Sequence, residues 1–242
     1  MGDTTIEWAD KVWNPVTGCT KVSQGCKNCY AERIAGRFWG ERKFTDVICH
    51  EDRLEIPLHW RKPAKIFVNS MSDLFHPAVP PAFISKVFSI MDEKRKMYDG
   101  SIFIILTKRP YNMQQFIGHW YGGEHQNEHF RLSNVWLGVS VEDQKTAQER
   151  IPFLYGLPAV RFVSVEPMLE RIDLGLSTAY IDWVVCGGES GPKARPQPPY
   201  IDFRHLKDQC VKAGIPFFLK QMYGKKMPEL DGQIWNQYPV TK

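Results

Sequence analysis

The sequence has no long hydrophobic run. No window approaches the roughly 18 uninterrupted apolar residues that a membrane-spanning helix needs, so no membrane partner is expected. Residues 1–6 carry neither a basic stretch nor an apolar one, and no secretory signal is expected there. Ile6 stands where a myristoylation motif calls for Ser or Thr. Internal repeats, low-complexity tracts and an interdomain linker are all lacking. Charge of one sign is scarce: 31 Lys and Arg against 27 Asp and Glu leave +4, which permits a nucleic-acid partner without arguing for one. Six cysteines in 242 residues are too few for a disulfide scaffold, and without export the thiols are expected to stay reduced, in the cytoplasm.

What is present is apolar content. With 43% hydrophobic and 13% aromatic residues the chain supports a sizeable core, and a disordered chain is excluded. The length fits one domain over 1–242. Short runs rich in β-branched and aromatic residues recur at 64–70, 101–107, 135–140, 160–165, 181–186 and 215–220, with a weaker one at 12–17. They are continuously apolar, as strands buried on both faces are. Helix-like segments separate them at 31–38, 81–95, 111–121, 143–154 and 201–213; Pro81 suits a first helical turn and Gly214 a helix end. Alternating β and α units imply right-handed crossovers and a parallel sheet. Six or seven units are too few for a closed eight-stranded barrel of about 250 residues. The expected fold is therefore α/β, a partial (β/α)6–7 barrel, with an open doubly wound sheet as the alternative.

Polar residues follow every apolar run: Asn69-Ser70-Met71-Ser72-Asp73 with His76 beyond, Lys108-Arg109, Ser140 and Glu142, Ser164 and Glu166, Gly187-Gly188-Glu189, and Lys220-Gln221. In both candidate folds these positions share the C-terminal rim of the strands, where sites assemble.

Three cysteines cluster as C-x6-C-x2-C at Cys19, Cys26 and Cys29, with Gly18 and Gly25 beside them. Thiolates select zinc, copper(I) or iron–sulfur centres. A structural zinc needs four ligands, and the nearest additions, Cys49 and His50, are adjacent and awkward to use together. Three thiolates suit a [4Fe–4S] cluster with one open iron. Cys49, Cys186 and Cys210 read as bystanders.

On these residues the chain resembles the radical S-adenosylmethionine (SAM) superfamily. More narrowly, it resembles a phage-associated, radical-SAM-like family known as a domain of unknown function. The resemblance is carried by 13–31 (WNPVTGCTKVSQGCKNCYA), 67–80, 106–110, 138–142, 164–167, 186–196 and 208–221 with 230–235. Three features depart from the superfamily pattern. The first cysteine gap is six rather than three. Asn28 replaces the aromatic residue before the third cysteine, with Tyr30 after it. Ser70-Met71-Ser72-Asp73 stands where a Gly-Gly-Glu motif is usual.

The resemblance implies that residues 1–40 form the cluster-binding loop and first βα unit, and that 186–242 cover the substrate. It implies [4Fe–4S] and SAM as cofactors, reductive SAM cleavage, hydrogen abstraction, and an external electron donor such as flavodoxin or ferredoxin. Cys19, Cys26 and Cys29 would hold the cluster. Tyr30 joins the cofactor-binding candidates; Ser70, Ser72 or Asp73 would accept from the SAM amino group, Lys108 would meet its carboxylate, and Ser140 and Glu142 its ribose. His76, Glu166, Glu189, Arg195 and Lys220 are the substrate-binding candidates. Each keeps a structural alternative: a helix cap for Asp73, a solvated lysine for Lys108, a helix N-terminus for Glu142, a surface arginine for Arg195. The expected reaction is isomerisation of an amino-acid-modified thymine in phage DNA, with Trp120, Tyr121, Trp136 and Trp235 as base-stacking candidates, each equally readable as a core aromatic. The alternatives are a nucleic-acid repair lyase, a modifier of small molecules or peptides, and a non-catalytic metal-binding interaction module.

Overall fold

The computed structural model describes residues 4–97, 100–122 and 132–240. Seven parallel strands run in chain order across one sheet: β1 (Lys11–Trp13), β2 (Lys65–Val68), β3 (Ile102–Thr107), β4 (Val135–Val141), β5 (Val160–Val165), β6 (Trp183–Gly187) and β7 (Phe217–Met222). A short antiparallel strand, β8 (Lys225–Lys226), closes one edge. The crossovers carry helices α1 (Tyr30–Phe38), α2 (Pro81–Lys96), α3 (Pro110–Gly122), α4 (Gln144–Arg150) and α5 (Tyr200–Ala213), with a 3-10 turn at Gly175–Tyr180 between β5 and β6. The sheet is a curled half-barrel, as the strand count led us to expect.

Alternate strand residues belong to two separate cores. Ile66 and Val68, Phe103 and Ile105, Leu137 and Val139, and Phe217 and Leu219 pack with the helices. Phe67, Ile104, Trp136, Phe162, Trp183 and Phe218 face the other way, into a cluster that contains no helical residue. Consecutive strand order with right-handed crossovers puts the helices on one side, which excludes the doubly wound alternative. The concave side is filled instead from the two ends of the chain. Trp8 packs on Phe67 at 4.7 Å between ring centroids, and Tyr238 stacks on Trp183 at 5.4 Å. The Trp183 indole N–H donates to Gln237 O at 2.8 Å.

Two expected elements divide at prolines. The weak strand at 12–17 splits around Pro15: Lys11–Trp13 enters the sheet, while Val16–Thr17 pairs antiparallel with Ile48–Cys49. The helix expected over 143–154 is α4 followed by a 3-10 turn at Ile151–Leu154, because Pro152 cannot continue the α-helical ladder. Pro81 does open α2, and Gly214 ends α5 at φ 69°. Among the described residues no helix is long and apolar enough to cross a membrane.

Of the two readings of the candidate stacking aromatics, Trp120, Trp136 and Trp235 take the core one. Trp136 and Trp120 are buried, and Trp235 packs half-buried against the helix-side core with its indole donating to Leu230 O. The Tyr121 side chain lies outside the described residues.

Candidate functional site

The C-terminal ends of β2 to β7 and the cysteine loop enclose one cavity of about 570 Å³, in the usual size range of ligand pockets. Cys19, Cys26, Cys29 and Tyr30 form the wall on the loop side. Ser70, Ser72, Asp73, Lys108, Ser140, Glu166, Glu189 and Lys220 line it from the strand ends. Thr4 to Trp8 border the opposite side. Of the sequence candidates, His76, Glu142 and Arg195 stand outside this lining, and each has other work.

Glu142 is fully buried. Its Oε2 accepts from Arg150 Nη1 at 3.0 Å and its Oε1 from the Gly25 amide at 3.3 Å. The neighbouring Asp143 accepts from Gln24 Nε2 at 2.7 Å while capping α4 through Thr146 N. Two adjacent carboxylates at the end of β4 thus anchor the middle of the cysteine loop. Gly25 is required there: a β-carbon would come within 2.8 Å of the Glu142 carboxyl carbon. Gly18 is required by its backbone, at φ 95° and with Asp46 O 2.3 Å from a β-carbon position.

Asp73 is the hub at the far end of the loop. Its Oδ1 accepts from Thr107 Oγ1 at 2.7 Å and Phe75 N at 3.0 Å, and its Oδ2 from Lys108 N and Arg109 Nη1, both at 3.1 Å. These bonds use both of its oxygens. Arg109, held this way, lies 3.6 Å from Cys19 Sγ and donates to Thr20 O at 2.8 Å. Burial raises the Cys19 thiol pKa, and Asp73 adds to the rise, with Arg109 opposing both. His76 Nδ1 accepts from Ala78 N at 3.1 Å, which leaves the proton of the neutral ring on Nε2 to donate to Thr20 Oγ1 at 2.8 Å. Burial lowers its pKa, and Arg109 lowers it further. His76 therefore fixes the loop as a neutral donor.

Asn28 explains the missing aromatic residue. Its amide donates to Glu189 Oε2 at 2.9 Å and Lys193 O at 2.7 Å, tying the cysteine loop to the segment after β6. Arg195 closes on the same carboxylate through its backbone N at 2.7 Å, Nε at 3.0 Å and Nη2 at 2.6 Å. Burial alone would raise the Glu189 pKa, but these hydrogen bonds outweigh it and hold it down at about 2, against an ordinary 4.5. A depressed carboxylate stabilises the fold above the unfolded pKa and loses that contribution as pH falls through the folded one. The Glu189 contribution is therefore complete above about pH 4.5 and lost towards pH 2. Acid titrations followed by circular dichroism should show Glu189→Gln less stable than wild type near neutrality, with the gap closing between those pH values. A constant gap would refute the assignment.

Lys108 and Lys220 bring cations to the strand ends. The Lys108 ammonium meets the Ser140 hydroxyl, whose own proton goes to Glu166 O at 3.0 Å. Lys220 pairs with Glu166 Oε1 at 2.9 Å, and Ser164 donates to Glu166 Oε2 at 3.0 Å. Ser70 donates to Asn14 Oδ1 at 3.2 Å, Ser72 to Val16 O at 2.9 Å, and Tyr30 to Ser70 O at 2.6 Å. Among the described residues, two buried donors on the cavity lining have no hydrogen-bond partner, Asn69 Nδ2 and Trp8 Nε1. Asn69 also holds φ 62°, a left-handed conformation for a side-chain-bearing residue.

The sequence reading placed Arg109 and Asn69 on the strand-end rim but gave neither a role. The first adjoins Lys108 just past β3, and the second ends β2 ahead of the serines, both within the strand-end pattern.

The donor set suits a thiolate-bound centre more than tetrahedral zinc. All six cysteines are free. Cys49 sits in the two-residue ribbon, and His50 Nε2 is engaged by Thr17 Oγ1 at 2.7 Å. Among the described residues, no three His, Cys, Asp or Glu side chains form a group that would hold a metal ion as they stand. The fit of an iron–sulfur cluster rests on donor chemistry: three soft thiols from one loop on one cavity, whose lining includes orphaned polar donors.

A family model described as "Protein of unknown function (DUF5131)" matches residues 3–239. No curated protein and no solved structure matches the chain.

Proposed function

The chain belongs to the DUF5131 family, and we propose that it is a radical SAM enzyme acting on a modified base in DNA. The observation that carries this reading is that Cys19, Cys26 and Cys29 line the same cavity as all six strand ends from β2 to β7. The three thiolates would hold a [4Fe–4S] cluster with one iron left open for SAM. When bound, the two cofactors would supply an electron and a carbon-centred radical able to take hydrogen from a substrate, with flavodoxin or ferredoxin as the reductant.

The chain's own residues bind and orient. Among the described residues, Lys108 has a hydroxyl and no carboxylate among its partners, so its charge is open to the SAM carboxylate. Ser70 and Ser72 have already donated their hydroxyl protons, which leaves their lone pairs for an amino group. Ser140 and Tyr30 complete this end. Glu166, Ser164 and Lys220 form the adjoining polar group, joined to Ser140 through Glu166 O, and suited to a zwitterionic amino-acid substituent on the substrate. Trp8, Trp136 and Trp183 fill the concave face and keep water from entering through it. On this reading the substrate is an amino-acid-modified thymine, the reaction its isomerisation, and a base in duplex DNA must be flipped out to enter.

Anaerobic reconstitution tests the reading. About four irons and four sulfides per chain, with reductant-dependent 5′-deoxyadenosine from SAM, are expected. One zinc and no SAM cleavage would replace it with a non-catalytic metal-binding module. Nucleoside mass spectrometry of DNA treated with the reconstituted protein then reports the substrate.

A further inference from the structure

The net charge of the whole chain resides in its cysteine loop, α1 and the short turn that follows. Residues 19–43 hold six Lys and Arg against two Asp and Glu, a net of +4, and the remaining residues balance to zero. Lys21 is paired with Glu32, and Arg42 is spent on Thr17 and Asp46. Among the described residues, Lys27, Arg33 and Arg37 have no carboxylate partner, and all three are exposed.

The same helix exposes an apolar row. Tyr30, Ile34 and Phe38 stand at i, i+4 and i+8, about 6 Å apart along the axis. They are 41%, 39% and 69% exposed, while the adjacent side of the helix buries Ala31 and Ala35. Arg33 and Arg37 form the neighbouring row, and the Arg37 guanidinium lies 5.2 Å from the Phe38 ring centroid. The surface runs into the cavity: Tyr30, Arg33 and Ile34 belong to its lining, and Arg33 reaches Gly191 of the segment after β6.

We propose that this face of α1 binds the strand that carries the substrate base, as single-stranded DNA, with Arg33, Arg37 and Lys27 on its phosphates and Phe38 under one of its bases. The inference rests on the reading of the cavity as a DNA-modifying site. Unpaired cations beside isolated aromatic side chains are what a single strand needs, since each base stacks on one ring and each phosphate meets one cation. An acidic protein would need an apolar core within an interface of about 800 Å² per partner, and three side chains in a row are far short of that.

The test is fluorescence anisotropy of labelled oligothymidylate, about 12 nucleotides long, with the full cluster-loaded chain at several salt concentrations. Wild type is expected to bind with a steep salt dependence. Arg33→Gln with Arg37→Gln should flatten the log–log slope by about 1.4. Phe38→Ala should weaken binding about tenfold at unchanged slope, with Phe38→Trp restoring it. Absence of binding, an unaltered slope in the double variant, or displacement by poly-glutamate as effective as by unlabelled oligothymidylate would overturn the proposal. 5′-Deoxyadenosine formation without DNA, measured on the same preparations, reports separately on the reading of the thiols.

Discussion

Exchange of Cys26 for Ala is expected to abolish iron–sulfur incorporation and SAM cleavage together. A cluster held by three thiolates keeps no ligand in reserve, so losing one leaves two irons without a protein ligand. Nor does the fold supply a substitute. Cys49 is fixed in the ribbon opposite Val16. Cys186 is buried within β6, 3.6 Å from Met168 Sδ, and burial pushes its thiol well up. Cys210 is buried on α5, its pKa pushed to about 12. The measurements are iron and sulfide per chain, the visible absorbance after reconstitution, and 5′-deoxyadenosine. Cys210→Ala is the contrasting variant: it removes a core side chain, and its iron content should match wild type. Retention of both cluster and cleavage in Cys26→Ala would refute the ligand assignment.

Arg150→Leu is expected to cost about 3–5 kcal/mol of stability, because it strands the Glu142 carboxylate in a site with no solvent contact. The loss should appear as a lower urea midpoint at unchanged slope. Combining it with Glu142→Leu should recover part of the stability, since a buried apolar pair carries no unpaired charge. Cluster content should fall in the double variant, because Glu142 is also the acceptor for Gly25 N. A loss below about 1 kcal/mol in Arg150→Leu would show the pair to be accessible to water.

The strands were legible because their chemistry is local. Runs such as 135–140 and 160–165 are apolar on both faces, and a strand with a core on each side needs that whatever its neighbours are. The breaks at Pro15 and Pro152 were also written in the residues, but the apolar runs around them masked the loss of a backbone donor. The rim was legible as a set, since strand ends converge in any parallel half-barrel. The employment of each rim residue was not. Glu142 looked like a free carboxylate until Arg150, one helix later, and Gly25, over a hundred positions earlier, were placed against it. The four partners of Asp73 likewise include groups more than thirty residues away. Trp136 and Trp120 read equally as stacking or as core aromatics because nothing local says which side of a sheet or helix finds a partner. Asn28 read as a deviation because its partners lie beyond β6.

The filling of the concave face from both ends of the chain sets an order on folding during synthesis. The helix-side core joins each strand to the helix beside it in sequence and can consolidate as successive βα units emerge. The concave side depends on contacts such as Tyr238 Oη to Glu7 O and Lys226 Nζ to Thr5 O, which span nearly the whole chain. Until residues 226–238 have left the ribosome, Trp8, Phe67 and Trp183 lack their last cover. The nascent protein therefore carries an exposed aromatic wall until that segment emerges, and the cavity above that wall gains its floor only after the strands and helices between have been made.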